Sequence, residues 1–161
     1  MTISAGDRIP EISLTTMTNE GPTPVSFTDL FEGKRVALFA VPGAFTPTCS
    51  QEHLPGFVNQ AHQLTDKGID TVACISVNDV FVMDAWGKSH NVKDKILMMA
   101  DPFLGFTKAI GADVDKSARG LGIRSNRYTM LIDNLKVVKL QEEEDAGACE
   151  ISAAENFLNL I

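Results

Sequence analysis

Three short apolar runs, separated by polar residues and by glycine and proline, dominate the hydrophobic pattern of the chain. They span Arg35 to Ala40, Thr71 to Val77 and Ile96 to Ala100. A continuous apolar run of this length is typical of a strand that is covered on both faces. The pattern therefore predicts three buried strands.

Two amphipathic segments separate these runs and have helical spacing. The first has its apolar residues on one face, at Leu54, Phe57, Val58, Ala61 and Leu64. Gly68 is a natural stop for this helix, and Pro55 inside it removes a backbone hydrogen bond and predicts a kink. Asn78 or Asp79 can cap the second helix. Its apolar residues include Val80, Phe81, Met83 and Trp86.

The flanking regions predict smaller elements. Before the first run we expect a weak strand at Glu11 to Thr16, a turn-rich connection at Asn19 to Pro24, and a helix capped by Ser26 or Thr28 that ends at Phe31. After the third run we expect a helix at Leu104 to Ile110, a polar loop at Asp113 to Asn126, and a hairpin of Tyr128 to Ile132 with Val137 to Leu140. Ser152 and Glu155 have capping-box spacing before a final helix to Ile161.

The order of these elements predicts an α/β fold in one domain, residues 1–161, with a mixed central sheet flanked by helices. The composition, with 44% hydrophobic and 22% charged residues, is ordinary for a globular protein. A net charge of −7 argues against nucleic acid or an anionic membrane as a partner. No stretch approaches the ~18 consecutive apolar residues of a membrane helix.

Cysteine usage and the N-terminal residues bear on the compartment. The first residues match neither a secretory nor a mitochondrial leader, so we expect a cytoplasmic protein, although a mature organellar form would look the same. Three widely spaced cysteines do not make a secreted disulfide framework. They indicate reducing surroundings and allow redox chemistry.

The stretch VPGAFTPTC, which ends at Cys49, carries the strongest chemical signal. Cys49 lies between a predicted strand and a predicted helix, where free backbone N–H groups and the helix dipole favour a thiolate. Pro42 and Pro47 stiffen the loop, and the Thr46 hydroxyl is close enough in sequence to donate to the sulfur. The stretch predicts a reactive thiol on a rigid loop.

Pro42, Thr46 and Cys49 also match the P-x-x-x-T-x-x-C signature of the peroxiredoxins. The strings VPGAFTPTCS, HLPGF, SVNDVFVMDAWG and GLGIRS resemble the subfamily called type II in plants and type 5 in animals. The resemblance covers nearly the whole chain. It implies a thioredoxin-like fold and a thiol-dependent peroxidase that reduces hydrogen peroxide and alkyl hydroperoxides through a cysteine sulfenic acid, with no metal or other cofactor.

The resemblance also implies roles for individual residues. Cys49 would be the peroxidatic cysteine, and Pro42 would pack over its sulfur. Thr46 and a cationic side chain would stabilise the charge that develops on the leaving oxygen. Spacing does not separate Arg124 from Arg119 or Arg127, and the match to the family's loop arginine selects Arg124.

The other two cysteines and His53 also have candidate roles. Cys74 lies within an apolar run, so we expect a buried, inert thiol. Cys149 lies in an acidic, Gly/Ala-containing segment that we expect to be exposed and mobile, and animal members of the subfamily have a resolving cysteine near this point. We therefore favour Cys149 over Cys74 as the thiol that forms a disulfide with Cys49. His53 could face Cys49 at i+4, but two ligands are too few for a metal site.

The reductant and the quaternary structure follow from the resemblance alone. It implies recycling by glutaredoxin and glutathione or by thioredoxin, and a homodimer. Two alternatives remain at this point. A thiol–disulfide oxidoreductase would require Cys-x-x-Cys, and Thr46 occupies its first position. A non-catalytic redox sensor that signals through partner binding would react with peroxide about once and stop.

Overall fold

The computed structural model describes all 161 residues. Its strands are β1 (Thr15–Thr18), β2 (Gly21–Pro24), β3 (Arg35–Val41), β4 (Thr71–Ser76), β5 (Leu97–Ala100), β6 (Asp113–Asp115), β7 (Ile123–Ser125), β8 (Tyr128–Asp133) and β9 (Lys136–Glu142). Its α-helices are α1 (Phe27–Phe31), α2 (Leu54–Asp66), α3 (Val80–Ser89), α4 (Gly105–Ala109) and α5 (Ala154–Leu160). A π-helical turn at Cys49–His53 leads into α2, and a 3₁₀ turn covers Ser117–Arg119.

Seven strands form one mixed sheet in the order β2-β1-β5-β4-β3-β8-β9. β3, β4 and β5 are the three predicted apolar runs, and they pair in parallel at the centre. β1 and β8 add antiparallel strands on either side. The predicted mixed sheet with flanking helices is confirmed.

Residues of β3 alternate between two cores because successive side chains of a strand point to opposite faces. Phe39 faces a core built with α2, α3 and α5, and its ring stacks on that of Phe57 at 4.1 Å between centroids. Leu38 faces the other core, which includes residues of α1 and α4. Every residue from Val36 to Val41 is buried, which explains the unbroken apolar run.

The helix after Cys49 differs from the expected kinked α-helix. The Leu54 N–H donates to the Cys49 carbonyl, five residues earlier, and this pairing defines a π-helical turn. Pro55 has no N–H and lies in the first turn of α2, where none is needed. The proline therefore marks the change from π-helix to α-helix and does not lie inside a continuous α-helix.

Two segments predicted as connections contain strands. Gly21–Pro24 pairs with β1, and its prolines are tolerated because β2 is an edge strand. The predicted loop Asp113 to Asn126 contains the small hairpin β6–β7, in which Val114 lies opposite Arg124. Three-residue strands are too short to leave a periodic signal in the sequence.

The predicted capping box of α5 is wrong, whereas two other caps are confirmed. Ala153 is the N-cap residue of α5, and the Ser152 hydroxyl donates to the buried Glu143 carboxylate at 2.8 Å. Ser26 accepts the Asp29 N–H at the start of α1, and Asp79 caps α3. None of the helices combines the length and the apolar character needed to cross a bilayer.

Candidate active site

The end of β3 and the start of the neighbouring strand β8 lie together at one edge of the central sheet. β3 runs antiparallel to β8, and Ala40 lies opposite Tyr128. The loop of residues 42–48, which leaves β3, therefore lies near Arg127, which directly precedes β8. This pairing brings together Cys49 and Arg127, which are 78 residues apart in sequence.

Hydrogen bonds fix the loop of residues 42–48. The Asn78 side chain accepts the Ala44 N–H at 2.9 Å, and the Gly43 carbonyl accepts the Thr46 hydroxyl at 2.7 Å. A Cβ atom at Gly43 would approach the Thr46 side chain to 3.2 Å, so this tight approach favours glycine. The loop is therefore held both to the end of β4 and to itself.

Cys49 begins the π-helical turn and is fully buried as a free thiol. The next residue, Ser50, donates its N–H to the Thr46 carbonyl and accepts the Trp86 indole N–H, each at 3.0 Å. These contacts attach the turn to the loop and to α3. The sulfur is thereby fixed at the N-terminal end of a helix, where negative charge is favoured.

The guanidinium of Arg127 lies against the Cys49 sulfur in a buried site. Arg127 is 1% exposed, and its Nη2 donates to Cys49 Sγ at 3.2 Å. Its Nε donates to the Ala146 carbonyl at 3.1 Å, and its Nη1 lies 3.1 Å from His53 Nδ1. Arg127 forms no salt bridge with a carboxylate. Because a buried cation without a counter-charge is costly, a thiolate at Cys49 is its favourable partner.

His53 lies behind Arg127 and is held as a neutral ring. Its Nε2 lies 3.0 Å from the Ser152 carbonyl, which can only accept, so this nitrogen carries the proton. Nδ1 then accepts from Arg127. Burial and the adjacent Arg127 charge lower the pKa of His53 from 6.5 to about 3, against a smaller opposing effect of the Ser152 carbonyl.

The remaining two cysteines lie in different surroundings. Cys74 is fully buried in β4, opposite Phe39, and burial raises its pKa well above the usual range. Cys149 is half-buried, and burial raises its pKa to about 11 against the opposing charge of Arg127. Neither thiol is activated in the folded resting state.

Comparison with known proteins agrees with this geometry. The model of the Redoxin family matches residues 4–158. The chain is 47% identical to Peroxiredoxin-2C of Oryza sativa subsp. japonica, over 99% of this chain and 98% of the relative. It is 46% identical to the chloroplastic Peroxiredoxin-2E of Arabidopsis thaliana, over 99% of this chain and 69% of the relative. The crystal structure of reduced Prx3 in complex with H2O2 from Vibrio vulnificus is 47% identical, with a TM-score of 0.93 and 98% coverage of each chain.

The chain is a peroxiredoxin. It belongs to the type II subfamily indicated by its motifs, has a thioredoxin-like fold, and is a thiol-dependent peroxidase. The enzyme predicted from the stretch around Cys49 is thus confirmed, and the non-catalytic sensor is not favoured. The similarity to these proteins does not by itself assign roles to individual residues of the site.

The structure of this peroxiredoxin brings some predicted site residues together and not others. Pro42, Thr46 and Cys49 lie in one loop and turn, and Pro42 is buried. The Thr46 hydroxyl donates to Gly43 and not to the sulfur. Arg124 also does not meet the expectation, because its Nε and Nη1 donate to the Leu121 and Val77 carbonyls, at 2.7 and 2.9 Å. Its guanidinium borders the loop at Gly43, and Arg127 contacts the sulfur.

Sequence reasoning therefore missed the arginine at the sulfur. Arg127 was among three candidates, and the string GLGIRS that selected Arg124 ends two residues before it. One signal was present in the sequence. A charged residue directly before a predominantly apolar strand lies at the edge of the core, and Tyr128 to Ile132 is such a strand, with every residue buried.

The segment that carries Cys149 is more buried and more extensively hydrogen-bonded than expected. Ala146 is buried, and its carbonyl accepts from Arg127. Glu143 is also buried, and its carboxylate accepts the N–H groups of Glu150 and Ser152 at 2.6 and 2.9 Å. The expected exposure of the segment is therefore wrong at Glu143 and Ala146, and its expected mobility stays a prediction. Its small residues and acidic residues are used for close packing and for internal hydrogen bonds.

No group of three or more His, Cys, Asp or Glu side chains is arranged to hold a metal ion. Both ring nitrogens of His53 are occupied, one by Arg127 and one by the Ser152 carbonyl. A metal ligand needs a free nitrogen lone pair. His53 therefore has no free position for a metal in this arrangement.

The buried, neutral His53 should make the stability of the peroxiredoxin depend on pH. Below pH 6.5 the unfolded chain binds a proton at this position and the folded chain does not, so the free energy of unfolding falls as the pH falls. Between about pH 6.5 and about pH 5 this loss is on the order of 1–2 kcal/mol. His53→Gln should lose less stability than the wild type over this range in urea denaturation.

The matched control is His62→Gln, because the His62 side chain is 87% exposed. This control should follow the pH dependence of the wild type. Identical pH dependence for His53→Gln and the wild type would contradict the neutral, buried state of His53.

Proposed function

We propose that Cys49 is the peroxidatic residue of this peroxiredoxin and that Arg127 is the cationic group that assists it. The contact of 3.2 Å between Arg127 Nη2 and Cys49 Sγ is the observation that carries the proposal. A guanidinium remains charged at every physiological pH and stabilises an adjacent thiolate. The same group can donate to the peroxide when it reaches the sulfur.

The reaction is a two-electron transfer at sulfur. The Cys49 thiolate attacks the terminal oxygen of the hydroperoxide, an S–O bond forms, and the O–O bond breaks. The leaving oxygen takes a proton and departs as water or an alcohol, and the cysteine becomes a sulfenic acid. Negative charge therefore moves from sulfur to the leaving oxygen, and a nearby cation stabilises that charge in the transition state.

Thr46 and Pro42 are proposed to support this step. The Thr46 hydroxyl donates to the Gly43 carbonyl in the resting site, which holds it within the loop that leads to Cys49. Rotation of the hydroxyl would redirect its proton to a bound peroxide. Pro42 is buried in the same loop and helps to exclude water. Because Cys49 has no exposed surface, substrate entry requires a small opening of this loop.

We propose hydrogen peroxide and alkyl hydroperoxides as substrates. The solved Prx3 of Vibrio vulnificus, with 47% identity, is described in complex with H2O2. Both substrate classes share the O–O bond that the Cys49 thiolate must attack. The reductant is proposed to be a thiol system of the thioredoxin or the glutaredoxin and glutathione class. We keep the cytoplasm as the proposed compartment, where such systems maintain reduced thiols.

We propose Cys149 as the resolving thiol of Cys49. The Thr48 hydroxyl donates to the Gly147 carbonyl at 3.0 Å, and Arg127 donates to the Ala146 carbonyl, so the Cys149 segment packs beside the reactive turn. Cys74 would have to leave a buried strand that is paired on both sides. Moving Cys149 breaks fewer contacts, although it releases the bonds that Glu143 makes to this segment.

A homodimer is the last part of the proposal. Phe45, Phe81 and Phe103 follow the carboxyl ends of β3, β4 and β5, which lie at one edge of the sheet. These three residues are 56%, 64% and 92% exposed, respectively. Exposed aromatic residues that share one edge of the molecule are typical of an interaction surface. A second copy of the chain would cover this edge, close to the Cys49 loop.

Arg127→Ala should slow peroxide reduction about a hundredfold, because one preorganised charged donor is worth about 3 kcal/mol in the transition state. Arg124→Ala should have a smaller effect, because that guanidinium is bonded to backbone carbonyls. Cys49→Ser should abolish turnover while the protein stays folded. The measurement is peroxide consumption with excess thiol, with circular dichroism to check folding. Equal losses for the two arginine variants, or turnover by Cys49→Ser, would show that the site is misassigned.

One equivalent of hydrogen peroxide should yield an intramolecular Cys49–Cys149 disulfide. Peptide mapping of the oxidised protein identifies it, and Cys74→Ser is the control that should form it equally well. The thioredoxin, glutaredoxin and glutathione systems should be compared in parallel for peroxide turnover. If Cys149 remains free while Cys49 is overoxidised or glutathionylated, the enzyme works with one cysteine.

Sedimentation at micromolar concentration should give a homodimer of about twice the 17.4 kDa chain mass. Phe81→Asp should shift the equilibrium to the monomer, because it places a charge on the exposed aromatic edge. Val138→Asp, on β9 away from this edge and 41% exposed, is the control that should remain dimeric. A single 17.4 kDa species for the wild type would exclude the dimer.

A further inference from the structure

We propose that His53 is a positioning residue that aims the guanidinium of Arg127 at the Cys49 sulfur. The inference deepens the proposed role of Arg127 and rests on it. The hydrogen bonds of the His53 ring go to Ser152 and Arg127 and not to the sulfur, so it would act only through the arginine. Three observations support this role: the protonation of the two ring nitrogens, the packing of the ring, and the hydrogen bonds that hold the Ser152 carbonyl to which the ring donates.

The ring nitrogens allow only one arrangement of protons. The Ser152 carbonyl accepts from Nε2, so Nδ1 is left with a lone pair directed at Arg127 Nη1, 3.1 Å away. A guanidinium has only donors, so the contact requires an acceptor on His53. A protonated ring would present a second donor and a second charge to Arg127. His53 is therefore an acceptor for Arg127 as long as it stays neutral.

This acceptor fixes the rotation of the guanidinium. Arg127 Nε is held by the Ala146 carbonyl, which sets one edge of the planar group. His53 holds Nη1, and Nη2 then has one direction left, toward Cys49 Sγ at 3.2 Å. A planar group that is held at two nitrogens cannot turn the third away. Without His53, only the Ala146 contact would orient the guanidinium.

The imidazole ring is itself held in place by aromatic packing. It packs against both Phe39 and Phe57, which stack on each other, with ring centroids 5.0 and 5.6 Å away and tilted contacts to both. His53 is 1% exposed. These contacts leave the ring little freedom to rotate, so Nδ1 stays directed at Arg127.

The carbonyl behind the ring is also anchored. The N–H and the hydroxyl of Ser152 both donate to Glu143 Oε1, at 2.9 and 2.8 Å. The Ser152 carbonyl accepts the Thr129 hydroxyl at 2.6 Å in addition to His53. A continuous set of hydrogen bonds thus runs from Glu143 through Ser152, His53 and Arg127 to the sulfur. Such a set of buried, satisfied bonds is typical of a site that requires fixed orientation.

The test compares variants that keep or remove the acceptor. His53→Phe keeps an aromatic ring and removes both hydrogen-bonding positions, and His53→Gln keeps one donor and one acceptor. We expect His53→Phe to lower the rate constant for peroxide about tenfold, the scale of one hydrogen bond to a charged group. It should also move the midpoint of the thiolate absorbance at 240 nm to higher pH. His53→Gln should have a rate constant and a thiolate midpoint close to those of the wild type. The exposed-site control His62→Phe should match the wild type in both quantities.

A double variant separates positioning from a role of His53 on its own. If His53 acts through Arg127, then His53→Phe should add no further loss to Arg127→Ala. Additive losses, or a wild-type rate and thiolate midpoint for folded His53→Phe, would overturn the proposal. An unchanged rate for Arg127→Ala alone would overturn the role of Arg127 first, and the role of His53 with it.

The wild-type enzyme provides a measurement that does not depend on how the variants fold. Nitrogen-15 NMR of the reduced protein at neutral pH should show His53 as a neutral ring with its proton on Nε2. The Nδ1 signal should change in Arg127→Lys, which loses the planar guanidinium. A proton on Nδ1 in the wild type would overturn the proposal.

Discussion

The burial of the Arg127 charge beside the Cys49 sulfur is the constraint on which the rest of the site depends. A cation that is 1% exposed and lacks a carboxylate partner must obtain its compensation from dipoles and from the sulfur. The Ala146 carbonyl and His53 provide two of these contacts. The third contact is the Cys49 thiol, which we propose as the peroxidatic group. The same interaction therefore stabilises the guanidinium in the core and, in the proposed mechanism, prepares the sulfur for reaction.

The topology of the sheet makes this contact possible. β3 and β8 are neighbours, so the loop that leaves one strand and the residue that enters the other lie at the same edge. The mixed order of strands, with three parallel strands in the centre, also directs the loops after β3, β4 and β5 to that edge. Asn78, after β4, fixes the Cys49 loop through the Ala44 N–H. Strand order thus assembles the site from distant parts of the sequence.

The proposed resolving role of Cys149 places opposing demands on the segment that contains it. Its backbone supports the resting site, because the Ala146 and Gly147 carbonyls accept from Arg127 and Thr48. A resolving thiol on that segment must nevertheless move toward Cys49. The anchoring carboxylate of Glu143 is the main link that would have to yield. Movement of this segment on oxidation of Cys49 would therefore also change the hydrogen bonds that orient Arg127.

The sequence by itself determined the central strands, the main helices, the loop that leads to Cys49 as the candidate site, and the family. These features leave local signals, because a buried strand needs a continuous apolar run and a reactive thiol needs particular neighbours in the chain. Only the tertiary structure decided which arginine meets the sulfur, since Arg124 and Arg127 are only three residues apart in sequence. Arg124 lies in β7, whereas Arg127 directly precedes β8, the strand that pairs with β3. The tertiary structure also decided the orientation of the His53 ring. The sequence shows only that His53 follows Cys49 by four residues, whereas Arg127 and Ser152 orient its ring. The same holds for Ser152, whose hydroxyl bonds to Glu143, nine residues earlier, instead of capping its own helix. Contacts between distant parts of the chain depend on strand pairing and burial, and no local pattern of residues encodes them.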